Sequence, residues 1–103
     1  MSVIEGVLLE EIDRLEKNIL SYENSLNNLP RGTIFIRKMG NSFFAYRKRK
    51  EKQKVVSIYL GNINDEQVKK EIELSNEYKR IKNNIRLCNK ELNKLKRAIK
   101  VYD

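Results

Sequence analysis

Apolar residues recur at helical spacing towards both ends of the chain and alternate with polar ones in the middle. Leu8, Ile12, Leu15, Ile19, Tyr22, Leu26 and Leu29 follow one another at steps of four and three. That is a heptad seam, with Ile12, Ile19 and Leu26 at a and Leu8, Leu15, Tyr22 and Leu29 at d. The spacing predicts a helix over Val3 to Asn27. Asn27, Asn28 and Pro30 then end it, because proline lacks an N–H and disfavours helix in the residue before it. A second seam runs Leu74, Tyr78, Ile81, Ile85, Cys88, Leu92, Leu95, Ile99 and Tyr102. Asn64 is expected to cap this helix while Gln67 reaches back, with Asp65 and Glu66 at the positive end of the helix dipole. Val68 and Ile72 fall outside the seam's frame, so the first two turns are expected to face the segment between the helices. With no break before the C-terminus, the helix is expected to approach 38 residues, about 57 Å.

Between the seams the period changes to two. Thr33–Met39, Phe43–Lys50 and Lys54–Leu60 are rich in β-branched and aromatic residues. Gly40-Asn41 is a two-residue hairpin turn, since both residues tolerate positive φ, and Glu51-Lys52-Gln53 is a looser polar turn. A three-stranded antiparallel β-meander follows. Alternation assigns Ile34, Ile36, Phe44, Tyr46, Val56, Ile58 and Leu60 to a face that buries against the second helix. Phe35, Arg37, Phe43, Arg47, Arg49, Val55 and Tyr59 go to the opposite face. The expected fold is α+β, a single domain over 1–103. An antiparallel two-helix coiled coil, from helix 1 (1–29) and helix 2 (62–103), carries the inserted meander (30–61). The insert joins the end of one helix to the start of the next, which favours the antiparallel direction.

Charge singles out the insert. The chain carries 22 Lys and Arg against 14 Asp and Glu, a net of +8. Residues 30–61 hold nine basic side chains and one acidic, a net of +8 by themselves, while residues 1–29 are at −4 and 62–103 at +4. Residues 79–100, with nine basic side chains against Glu91, would lie beside Glu5, Glu10, Glu11, Asp13 and Glu16 in an antiparallel pair. Much of the second helix's charge is then answered internally, and the insert's is not.

Chemistry narrows the reading further. With no histidine and a single cysteine, neither an imidazole base nor a multi-thiolate zinc site can be built. No phosphate-binding glycine loop or nucleophile elbow appears. A non-enzymatic protein without cofactor or metal is expected. Cys88 falls at a d position, where packing explains it. No apolar run reaches the roughly 18 residues of a membrane span. The acidic N-terminus does not read as a secretory signal, so a cytoplasmic location is expected.

The mixture of cations and rings on the insert suits nucleic acid. Arg37, Arg47 and Arg49 are candidates for phosphate or base-edge contacts, and Phe35 and Tyr59 for stacking. Lys38, Lys48, Lys50, Lys52 and Lys54 lie along the rim and turn, suited to backbone phosphates. The bland explanation is that lysine and arginine protect sheet edges from aggregation and that rings reflect β-propensity. Two rival functions belong to other classes. One is an adaptor that docks on a protein, such as a phage- or mobile-element-encoded inhibitor of a nucleoprotein. The other is a coiled-coil assembly module, with a homodimer formed through the overhang of the second helix.

Three motifs carry a resemblance. Leu29-Pro30-Arg31-Gly32-Thr33, Phe43-Phe44-Ala45-Tyr46-Arg47 and Ser57-Ile58-Tyr59-Leu60-Gly61 resemble a family of small prokaryotic proteins. Its members share this basic entry, an aromatic-rich second strand and a Tyr-Leu-Gly-like exit between charged helices. The resemblance implies the helix–meander–helix architecture. The meander is also similar to the three-stranded arm-site DNA-binding domains of phage-type integrases, which insert a sheet into the major groove. The present chain departs from them in having helices on both sides.

Overall fold

The computed structural model describes residues 2–101. It has the expected α+β order of α1 (Val3–Leu26), β1 (Thr33–Met39), β2 (Ser42–Glu51), β3 (Lys54–Asn62) and α2 (Glu66–Lys100). The chain forms two compact units. Among the described residues, one comprises residues 2–28 with 80–101, and the other residues 29–79.

In the helical unit, α1 starts on Ser2, whose Oγ accepts the Glu5 N–H at 3.1 Å. An acid three residues beyond the cap sits at the positive end of the helix dipole. The helix closes with the Asn27 N–H donated to the Glu23 carbonyl at 3.2 Å, three residues short of Pro30. Its buried positions, Ile12 and Leu15, form a cluster with Leu92 of α2, and Ile19, Cys88, Leu95 and Ile99 pack against it. All seven are seam positions. Cys88 is therefore part of the apolar packing. Tyr102, the last position of the second seam, lies outside the described residues. Ion pairs on the solvent side of α1 are intrahelical: Arg14 to Glu11, and Lys17 to Asp13 at 2.9 Å. Hydrogen bonding to Arg14 holds the Glu11 carboxyl below its ordinary value.

In the other unit, the sheet is ordered β1-β2-β3 and is antiparallel throughout. The first hairpin has the two-residue loop Gly40-Asn41, with Met39 opposite Ser42. The second is tighter than the expected three-residue turn. Glu51 pairs with Lys54, leaving only Lys52 and Gln53 in the loop, at φ 45° and 77°. Positive φ at both loop residues is the type I′ geometry, whose twist matches that of the flanking strands. Near its end β3 carries a bulge. Tyr59 opposes Tyr46 and Gly61 opposes Ala45, so Leu60 is the unopposed residue.

Residues opposite each other across a ladder point to the same side of a sheet. One row is therefore Ile34–Arg47–Ile58 and the next is Ile36–Ala45–Gly61. This side receives the first turns of α2. Ala45 is fully buried, Val68 is buried, and a Cβ built on Gly61 would sit 3.1 Å from the Val68 Cγ2. Small residues at 45 and 61 let the helix approach closely. Arg47 reaches Glu71 one helical turn further on. The expectation that Val68 faces the sheet is met, and Ile72 is half-buried.

Two sequence expectations are corrected here. The cap of α2 is Asp65, whose carboxylate accepts the Gln67 and Val68 N–H groups at 2.8 and 3.4 Å. The expected cap, Asn64, instead donates its own N–H to the Asn62 side chain at 2.9 Å. A charged acceptor next to the first helical residue outcompetes a neutral one a residue further out. The second correction concerns β2, whose alternation is inverted. Phe44 and Tyr46 were assigned to the helix side, but they pair with Arg37 and Phe35 on the outer side. Phe43, Arg47 and Arg49, assigned outward, belong to the helix side. Assignments of β1 and β3 hold for Ile34, Ile36, Val56 and Ile58 inward and for Phe35, Arg37, Val55 and Tyr59 outward.

Candidate functional site

The inversion of β2 builds a different outer face. Its central row is Phe35–Tyr46–Tyr59, one ring from each strand. On one side lies the row Arg37–Phe44–Asn62, and on the other Thr33–Lys48–Ser57, followed by Lys50–Val55. Four aromatic residues thus occupy the middle of the face, flanked by cations at both ends.

The rings interact with one another. Phe35 and Tyr46 are stacked, with centroids 5.2 Å apart and planes 15° apart. Tyr59 meets Tyr46 edge-on at 5.4 Å and Phe44 at a tilt, at 6.1 Å. Such offset and edge contacts are the preferred arrangements of ring quadrupoles. Two cations are drawn onto the ring faces: Lys48 Nζ lies 5.0 Å from the Phe35 centroid, and the Arg37 guanidinium carbon 5.6 Å from that of Tyr46. Phe35, Phe44 and Tyr46 are half-buried, whereas Tyr59 is 58% exposed.

Electrostatics separates the two sides of the sheet. The helix side holds Arg47, paired with Glu71, and Arg49, paired with Glu51. The pair at Arg47 is sheltered, with side chains 15% and 24% exposed. No acidic residue occupies the outer face. Among the described residues, Arg37 and Lys48 contact rings and, like Lys50, form no ion pair. The outer face thus holds three cations without an ion pair, Arg37, Lys48 and Lys50, beside the rings.

Of the residues singled out in the sequence, the structure brings Phe35, Arg37, Lys48, Lys50 and Tyr59 onto this one face. It places Lys38, Arg47, Arg49 and Lys54 on the other, and Lys52 in the second turn. Lys38 lies over Phe43, 5.8 Å from its centroid, beside the first turn. Phe44 and Tyr46 are the members that sequence alternation missed. The signal was available in the loop length. A two-residue loop at Gly40-Asn41 pairs odd positions with even ones and so sets Tyr46 beside Phe35.

Among the described residues, no group of three or more His, Cys, Asp or Glu side chains could hold a metal ion. No helix among them is long and apolar enough to cross a membrane. No protein-family model, curated protein or solved structure matches the chain. The resemblance to small prokaryotic meander proteins therefore rests on its three motifs alone. In those motifs the conformational demands are plain: Gly32, at φ +108°, has the Lys48 carbonyl 2.6 Å from where a Cβ would stand.

Proposed function

We propose that this protein binds nucleic acid, without catalysing a reaction, through the outer face of its β-meander. The observation that carries the reading is the acid-free face on which Phe35, Phe44, Tyr46 and Tyr59 lie between Arg37 at one end and Lys48 and Lys50 at the other. Cations draw in a polyanion and release its counterions, while rings add attraction to bases that a plain phosphate ligand would lack. Within this proposal the two heptad seams pair as an antiparallel coiled coil. Arg47 and Arg49 are spent on Glu71 and Glu51 and are not contact residues.

The test compares two sets of variants of the full chain by fluorescence anisotropy, against DNA and RNA oligonucleotides over a range of salt. Arg37→Ala, Lys48→Ala and Lys50→Ala are each expected to reduce the slope of log K against log salt by about one. Arg49→Ala, on the opposite side, should leave that slope unchanged. Equal effects from both sets, or no binding at physiological salt, refute the assignment and direct the search to protein partners.

A further inference from the structure

On the strength of the nucleic-acid reading above, we infer that the ligand of this face is a single strand, and that Tyr59 is the platform on which one of its bases stacks. Sequence in a duplex is read at base edges by side chains with paired donors and acceptors. The central row here has none of these: Phe35 carries no polar atom, and the two tyrosines carry one hydroxyl each. What the row does offer is π-surface, and the bases of a duplex have already committed their faces to one another. Unpaired bases have free faces, and rings on a sheet are how such bases are held.

The four rings are not equivalent. Phe35 and Tyr46 stack on each other, and each also has a cation over it, Lys48 and Arg37 respectively. A base could reach those faces only by displacing a partner already present. Tyr59 touches Tyr46 edge-on and Phe44 at a tilt, and more than half of it is open. It is therefore the ring that offers a face. The cations stand in the rows on either side of it, Arg37 two residues along one way and Lys48 two the other. At about 3.4 Å per residue those rows are about 14 Å apart. A strand crossing the ring row thus brings phosphates to both ends.

The experiment uses the full chain with a fluorescein-labelled oligothymidylate of about 12 nucleotides, and the same strand annealed to oligoadenylate. Affinity is read by anisotropy. Stacking is read by the protein's own tyrosine emission, which no tryptophan obscures. The variants are Tyr59→Leu, which keeps apolar bulk at an exposed strand position, and Tyr59→Phe, which keeps the ring. Circular dichroism checks that both are folded. The single strand is expected to bind at least about tenfold more tightly than the duplex. Tyr59→Leu should weaken it by about tenfold and lose part of the emission quenching, while Tyr59→Phe retains the affinity. Duplex binding as tight as or tighter than single-strand binding overturns the single-strand assignment and leaves the nucleic-acid reading standing. Single-strand preference that Tyr59→Leu does not touch overturns the role of Tyr59. Binding of neither ligand overturns both readings.

Discussion

The pair between Arg47 and Glu71 is the point at which the sheet's two sides can be told apart by stability. Arg47 is the side chain that a count of basic residues marks for ligand binding, yet it is 15% exposed and bonded to a carboxylate that is 24% exposed. Two limits bracket its contribution. A fully exposed pair is worth up to about 1 kcal/mol. Removing one partner of a fully buried pair costs about 3–5 kcal/mol, chiefly because a charge is left stranded. At an effective dielectric near 20, charges in contact attract by about 4 kcal/mol, and desolvation takes back much of that. The observed exposures place Arg47→Ala at a cost of about 2 kcal/mol, including the packing of its aliphatic stem. Glu71→Gln, which keeps the shape and removes the charge, should cost about 1 kcal/mol. If the two residues stabilise the fold through each other, the double variant costs less than the sum of the singles by about 1–1.5 kcal/mol. Urea titrations followed by tyrosine emission on the four proteins of this cycle measure the difference. A coupling below about 0.3 kcal/mol would refute the argument, because Arg47 would then be a free surface cation and a contender for ligand contact.

Two backbone positions give sharper local tests. Gly32→Ala must place a methyl group 2.6 Å from the Lys48 carbonyl oxygen at a φ of +108°. Strain and overlap together should cost about 3 kcal/mol, read as a fall in the urea midpoint at unchanged m-value; a loss under about 1 kcal/mol would show that the entry to β1 can move aside. Gln53→Gly relieves a non-glycine residue held at φ 77° in the second hairpin. It should stabilise the chain by about 0.5–1 kcal/mol in the same titration, and a loss of stability would mean that the Gln53 side chain contributes something the turn geometry does not reveal.

The elements were legible in the sequence because each is specified by several local signals that agree. For α1 these are a heptad seam from Leu8 to Leu26, and Asn27, Asn28 and Pro30 after its last turn. For β1 and β3, aliphatic β-branched residues recur at every second position, and Ile34, Ile36, Val56 and Ile58 are assigned to the side where they are found. What resisted is where signals compete. At the start of α2, Asn62, Asn64 and Asp65 are all competent caps. Only the observed hydrogen bonds show that Asp65 takes the helix end while Asn62 accepts from the Asn64 N–H. The bulge at Leu60 is invisible to a strict period of two, since it adds a residue without leaving a gap in the pattern.

The face of β2 was lost for a different reason, and the candidate site turns on it. Phe43, Phe44, Ala45 and Tyr46 are four consecutive apolar residues, so either alternation buries two of them and hydrophobicity cannot choose. Neighbouring strands can. With Gly40-Asn41 as the whole loop, Met39 must oppose Ser42, and counting outward sets Ala45 beside Ile36 and Tyr46 beside Phe35. Once Ala45 is inward it lies in one row with Gly61, the two smallest side chains of that side, and Val68 of α2 seats against Gly61. A tyrosine in that row would hold the helix off. The same half-turn of β2 that buries Ala45 brings Arg47 under Glu71 and lifts Phe44, Tyr46, Lys48 and Lys50 outward together. The close seating of the helix and the gathering of rings with unpaired cations are thus one consequence of one loop length. Lengthening that loop by a single residue, if β2 keeps its register with β3, would force β1 to choose between its hydrogen bonds and the placement of Ile34 and Ile36 on the helix side.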